Sequence, residues 1–144
     1  MARTHRGGLW LALALLLASM QARAESAEDL LVQGEQAFLA GQLDEALELF
    51  GKAIEADDER WEGYYYSGMV LQTQQKTQPA IEMYEKALEI KPDATEPLNN
   101  LSVAYLEAGK LQKALDACTR ALEADPEHYE AAYNIAVVLE EMGR

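Results

Sequence analysis

Residues that could support catalysis are few and far apart in this 144-residue sequence. His128 is the one histidine beyond the first 24 residues, and no serine or cysteine is placed to form a nucleophile–base pair with it. Ser67 and Ser102 fall on the apolar faces of predicted helices, where packing is expected. Cys118 is the only cysteine and excludes an intramolecular disulfide, so a small buried packing residue is expected there. We therefore expect no enzyme activity.

Motifs for metal or cofactor binding are likewise missing from the sequence. The acidic run at 57–59 lacks the glycine and the alternating ligands of a calcium loop. No glycine-rich loop suited to phosphate occurs. We expect no cofactor. His128 is predicted to lie in a solvated loop.

The amino-terminal residues have the form of an export signal. Two arginines precede an apolar stretch from 9 to 18, and a small-x-small sequence follows. The stretch is shorter than the roughly 20 residues that a membrane-spanning helix needs. The sequence predicts a signal peptide over 1–24 and an exported protein, periplasmic or secreted if bacterial, with no membrane insertion after cleavage; an uncleaved anchor is the alternative. The predicted cleavage-site residues are Ala22, Ala24 and Glu25.

The charge balance excludes several classes of partner. The formal net charge is −13, and removal of residues 1–24, which hold three arginines and no acid, changes it to −16. Nucleic acids and anionic membranes need clustered Lys and Arg, so neither is expected to bind. Most of the glutamates are expected to lie on solvated helix faces, where their role is to keep the protein soluble.

A period of 34 residues runs through the sequence and requires elements that stack. Glycines at 41 and 109 separate apolar helical segments, and prolines at 92 and 126 follow the second segment of a unit. Gln75 stands where the turn glycine is expected, at a cost of roughly 1 kcal/mol if its φ is positive. The repeating columns are Gly34, Gly68, Ser102 and Ala136; Ala46, Ala80 and Ala114; Ala53, Ala87 and Ala121; and Phe50, Tyr84 and Cys118.

With Leu71 and Pro92 added to these columns, the chain resembles the tetratricopeptide repeat (TPR) family. The resemblance implies an all-α, right-handed α-solenoid of helix-turn-helix hairpins over 25–144. Its repeats would be 27–60, 61–94 and 95–128, with a partial fourth repeat at 129–144.

The resemblance also implies a protein-interaction module whose first helices line a concave face. Tyr64 is expected in the core with Leu30, Leu98 and Ala132, so its neighbours must face elsewhere. The alternative is that these neighbours only pack against the adjacent hairpin. The peptide-binding residues implied are Tyr65, Tyr66, Met69, Asn99, Asn100, Val103, Tyr133, Asn134 and Val137.

Two features of this face bear on its ligand. Asn100 and Asn134 share a column, either as a ladder that holds a peptide backbone or as simple solvated amides. The clamp for acidic chaperone tails needs Lys and Arg, which the corresponding slots lack. Glutamates at 62, 96 and 130 form one column of the predicted groove and those at 107 and 141 another, with no Lys or Arg between them on this face, so an extended, neutral-to-basic partner is expected. The slots hold Leu31, Glu35, Tyr66, Glu96 and Asn100.

The last segment, 129–142, is expected to cap the stack. We predict that it buries Ala132, Ile135, Ala136 and Leu139 against the third repeat and leaves Val138 and Met142 on an exposed edge. Self-association through that edge, giving a homo-oligomer with a structural role, is one alternative function. A targeting module of a larger secreted protein is another.

Overall fold

The computed structural model describes residues 25–143, and in this range the secondary structure is entirely helical. The first helix of a pair begins at residue 27, 61, 95 or 129, which reproduces the 34-residue period. The all-α repeat fold is therefore confirmed. The signal peptide and the predicted cleavage-site residues Ala22 and Ala24 lie outside the described residues. The helices are α1 (Ala27–Leu39), α2 (Leu43–Ala56), α3 (Trp61–Thr73), α4 (Thr77–Ile90), α5 (Thr95–Glu107), α6 (Leu111–Ala124) and α7 (Tyr129–Glu141).

Small residues let the two helices of each pair approach closely. Ala46, Ala80 and Ala114 have no exposed surface. A Cβ atom built on Gly68 would lie 2.6 Å from a ring carbon of Tyr84, so no side chain fits there without moving the ring. The pairs then stack, because α2 packs on α3, α4 on α5 and α6 on α7. No helix of residues 25–143 is long and apolar enough to cross a membrane.

The turns inside the pairs adopt the left-handed backbone conformation that the sequence predicted. Gly41 and Gly109 have φ values of 76° and 69°. Gln75, which replaces the glycine in the second pair, has a φ of 61°. Because a Cβ atom is strained in this region, this turn costs about 1 kcal/mol relative to glycine.

The predicted orientation of α7 is wrong. Ala131 and Val138 are buried, with 0% and 1% of their surface exposed, whereas Ala132 and Ala136 are exposed. Met142, predicted to lie on a free edge, packs against the core instead. The packing face of α7 is therefore rotated away from the one expected from the sequence.

The reason is a second pair of columns that faces the preceding hairpin. The residues of these two columns are buried in α3, α5 and α7, each of which follows a hairpin. In α1, before which the structure describes no hairpin, the same columns hold exposed polar residues. The columns of Ala132 and Ala136 are instead covered, in the other units, by the second helix of the same pair. The columns facing the preceding hairpin are Asp29, Gly63, Pro97 and Ala131, and Gln36, Val70, Ala104 and Val138.

The column of Tyr64 also differs from the prediction. Leu30 and Leu98 are buried, with 5% and 0% of their surface exposed, but Tyr64 is only half-buried. The Nζ atom of Lys86 lies 5.9 Å from the centre of the Tyr64 ring. This column is thus buried at Leu30 and Leu98, half-buried at Tyr64 and exposed at Ala132.

Two substitutions two residues apart test the orientation of α7. Val138→Asp should lower the free energy of unfolding by about 3 kcal/mol or more, because it buries an unpaired charge. Ala136→Asp should change it by less than about 1 kcal/mol, since only helix propensity is affected. Urea denaturation followed by circular dichroism compares the two. Equal losses would contradict the packing described.

Candidate functional site

The helices α1, α3, α5 and α7 place the predicted binding residues in different environments. Tyr133 is 70% exposed and Asn99 only 8% exposed. The others are half-buried: Tyr65, Tyr66, Met69, Asn100, Val103, Asn134 and Val137. Half-burial leaves these side chains fixed by packing and still open on one side.

A cavity of about 230 Å³ brings part of this set together. Met69 and Val103, which share a column, lie beside Asn100 at its wall. The remaining lining residues were not predicted: Phe38, Gln72, Thr73 and Tyr84. Phe38 and Gln72 are 34 residues apart, so their shared column was available as a signal in the sequence. We call this cavity the inner pocket.

The two adjacent tyrosines of α3 are held in an aromatic cluster. The Tyr66 ring stacks on Phe50, with centroids 5.2 Å apart and planes 17° from parallel. Tyr65 contacts Trp61 at 5.8 Å and Tyr84 at 6.2 Å between centroids. The rings pack against neighbouring helices and remain partly accessible, and their role in peptide binding stays a prediction. These ring contacts hold Tyr65 and Tyr66 in fixed positions on the face formed by α1, α3, α5 and α7.

Burial and nearby carboxylates raise the pKa of both phenols of this cluster. Burial, together with a hydrogen bond to Glu35, raises the pKa of Tyr66 well above its ordinary value near 10. Burial and the charges of Glu96 and Glu130 raise the pKa of Tyr65, against a smaller lowering by Asn100. The carboxylates of α5 and α7 therefore act on the same phenol.

The two asparagines that share a column, Asn100 and Asn134, have different side-chain surroundings. The Nδ2 atom of Asn134 donates to the Oδ1 atom of Asn99, with 2.8 Å between them. Asn100 instead lies beside phenols, where it lowers the pKa of Tyr84 against a larger opposing effect of burial. The Tyr84 hydroxyl donates to Oε1 of Gln72 at 2.9 Å. Asn100 and Gln72 are the amide side chains that line the inner pocket.

One cation offsets part of the acidic charge at one end of this face. Arg60 lies 3.7 Å from Glu28 and 3.9 Å from Glu62, measured between nitrogen and oxygen atoms. The expectation that no cation would stand near this glutamate column was therefore wrong at the α1–α3 end. Among residues 25–143, Glu96 and Glu130 have no such ion pair. Within this glutamate column, the carboxylates without an ion pair are thus those of α5 and α7.

The residues considered for catalysis have structural partners. His128 lies in the loop between α6 and α7, as predicted, and caps α7, with its Nδ1 atom accepting from the backbone N–H of Ala131 at 3.2 Å. Ser67 and Ser102 donate to backbone carbonyls one turn earlier, at 2.8 and 2.6 Å. Cys118 has no exposed surface, and burial raises the pKa of its thiol. Within 25–143 no group of acidic, histidine or cysteine side chains could hold a metal ion.

Comparison with known proteins agrees with this architecture. Residues 62–127 match the family model described as tetratricopeptide repeat. These residues are tetratricopeptide repeats. The hairpin of α1 and α2 before these residues and the helix α7 after them continue the same 34-residue period of helix starts. No curated protein sequence matches the chain significantly.

Solved structures of TPR proteins superimpose on most of the chain. The first TPR of Spaghetti (RPAP3), bound to the HSP90 peptide SRMEEVD, has a TM-score of 0.80 and 21% identity, covering 83% of this chain and 94% of that one. MamA has a TM-score of 0.79 and 23% identity, with 88% and 74% covered. The Sgt2 TPR domain from Aspergillus fumigatus has a TM-score of 0.77 and 14% identity, with 81% and 79% covered. At these identities the likeness establishes the TPR fold.

The raised pKa of Tyr66 predicts a loss of stability at high pH. A folded pKa above the unfolded value near 10 contributes stability that is complete below pH 10 and falls as the pH rises beyond it. Tyr66→Phe should make this alkaline loss shallower, while Tyr129→Phe, at an exposed position, should not. Urea denaturation at several pH values between 8 and 11 measures the slopes. Identical slopes in all three proteins would contradict the prediction.

Proposed function

We propose that this chain is an exported interaction module that binds an extended, neutral-to-basic segment of another protein. The segment would lie along the face of α1, α3, α5 and α7. The inner pocket carries this proposal, because apolar side chains of Phe38, Met69 and Val103 surround it beside the amide of Asn100. Such a pocket suits one apolar side chain whose backbone hydrogen-bonds to the amide.

Charge sets the direction of the bound segment. Arg60 forms ion pairs with glutamates at the α1–α3 end. Among the described residues, Glu96 and Glu130 toward the α5–α7 end form no ion pair. Basic residues of the partner would therefore lie over α5 and α7, with the apolar side chain in the inner pocket. Because these carboxylates are accessible, their contribution is mainly to specificity and association rate.

The ligand of one similar structure offers a contrast in charge. The peptide SRMEEVD in the Spaghetti (RPAP3) complex carries three acidic side chains and one basic side chain. In the present chain the slots for a clamp on an acidic tail hold no Lys or Arg. The same fold would thus present a face of opposite preference. We assign no catalytic step to the chain.

Export is part of this proposal and rests on the sequence of residues 1–24. The charged start, the short apolar stretch and the small residues before Glu25 support it. An exported module would meet its partner in the periplasm or outside the cell. The acidic surface would also discourage adsorption to anionic membrane faces.

A peptide series tests the proposed face. Extended peptides of equal length, each with one leucine and net charges from −3 to +3, should bind more tightly as positive charge increases and more weakly as salt rises. Asn100→Ala with Met69→Ala should weaken binding by more than about 1 kcal/mol, and Glu123→Ala on the outer helix α6 should not. Tyr66 is unsuitable for this test because it stacks on Phe50. Fluorescence anisotropy showing an acidic preference, or no salt dependence, would refute the proposal.

Self-association remains the second candidate, through a different face from the one predicted. Among the described residues, nothing covers the face of α7 that carries Ala132, Ala136 and the 70%-exposed Tyr133. If this face joins two copies, the wild type should be dimeric at micromolar concentration and Ala136→Asp monomeric. Sedimentation equilibrium distinguishes the two. A wild-type monomer throughout that range would exclude this role.

A further inference from the structure

A larger cavity, of about 470 Å³, lies between α4 and α6 with α5 as its floor. We call it the α4–α6 cleft. It differs from the inner pocket, because α5 contributes Leu101 and Tyr105 here but Asn100 and Val103 there. Its lining residues are Glu85, Leu88, Glu89, Leu101, Tyr105, Lys113, Asp116, Ala117 and Arg120.

A small residue lies at the base of the cleft. Ala117 occupies the column that holds Met83 in the preceding unit. Ala117 is 4% exposed and lies at the base of the cleft beside Leu101 and the buried ring of Tyr105. A methionine there would reach into this space. Alanine at position 117 therefore leaves more space between α4 and α6 than a methionine at this position would.

Its two walls differ in charge. Helix α4 contributes Glu85 and Glu89, and Tyr105 in the floor donates a hydrogen bond to Glu85. That bond uses one oxygen of Glu85, so Glu85 and Glu89 both leave carboxylate oxygens on this wall that can accept from a ligand.

Helix α6 contributes two cations to the opposite wall. Lys113 and Arg120 are seven residues apart, about 10 Å along the helix. Among residues 25–143 neither has a carboxylate within 4.0 Å. Lys113 lies 5.4 Å from the Tyr105 ring centre, and Arg120 donates to the Pro92 carbonyl at 2.9 Å. Asp116, between them, accepts from Gln112 at 3.0 Å.

We propose that the α4–α6 cleft is a second docking site for a segment of a protein partner. The segment places a large apolar side chain over Leu88, Leu101 and Tyr105. A basic residue on one side of it faces Glu89, and an acidic residue on the other side faces Lys113 and Arg120. This arrangement of charges is what the two walls complement, and the volume suits one large side chain with its neighbours.

Short peptides with blocked ends probe the charge order directly. Lys-Lys-Leu-Glu-Glu carries the proposed arrangement, and Lys-Glu-Leu-Lys-Glu has the same composition without separated charges. Lys-Lys-Ser-Glu-Glu lacks the apolar side chain. Titration followed by ¹⁵N–¹H NMR should show shifts at Leu88, Leu101 and Ala117 for the first peptide, with binding several-fold weaker for the other two.

Variants then separate the cleft from the remaining surface. Ala117→Met should abolish binding of Lys-Lys-Leu-Glu-Glu, since it fills the cleft with the side chain found one unit earlier. Lys113→Ala with Arg120→Ala should weaken binding about threefold or more. Lys86→Ala, in the same column as Arg120 but beside Tyr64, should leave it unchanged. Thermal melts establish that each variant is folded.

Three results would overturn the proposal. The first is equal binding of the two peptides of identical composition. The second is unchanged binding by a folded Ala117→Met. The third is an absence of shifts around the cleft at millimolar peptide, or shifts confined to the inner pocket. The first two results leave binding by the face of α1, α3, α5 and α7 untouched, because the cleft uses the other side of α5, whereas shifts confined to the inner pocket would place the peptide on that face instead.

Discussion

The close approach of the two helices in each hairpin is the contact on which the other features depend. In the second hairpin the Tyr84 ring lies against Gly68, where a Cβ atom would collide with it. The same ring lines the inner pocket, and its hydroxyl donates to Gln72. A change made to relax this helix contact would therefore also move a wall of the pocket. Stability and recognition share one side chain.

The hairpins are joined by an aromatic bridge rather than by aliphatic packing alone. Tyr65 belongs with the core of the second and third hairpins, and Tyr66 packs against the core of the first. Their rings touch, with centroids 5.2 Å apart. Because each hairpin contacts mainly its neighbours, such a bridge passes a displacement in one unit to the next. The partly exposed edge of the bridge lies on the face proposed to bind peptide.

Sequence reasoning succeeded where a local rule decides the conformation. Positive φ at Gly41 and Gln75, and helix ends before the two prolines, follow from backbone sterics and could be predicted. The orientation of α7 could not, because a repeat period identifies columns but not which neighbour each column meets. The hydrogen bond between Asn99 and Asn134 and the openness at Ala117 depend on side-chain geometry across units. The orientation of α7 is set by columns that are not part of the family signature, such as the column of Val138.

Trp61 gives the molecule an intrinsic optical signal at its central hairpin. Beyond residue 24 it is the only tryptophan in the sequence. The centroid of its indole ring lies 5.8 Å from the centroid of the Tyr65 ring. The Nζ atom of Lys91 lies 5.0 Å from the indole centroid. A nearby cation and a phenol both influence indole emission. The fluorescence of the protein cleaved after residue 24 would thus arise beside the aromatic bridge, without any attached dye.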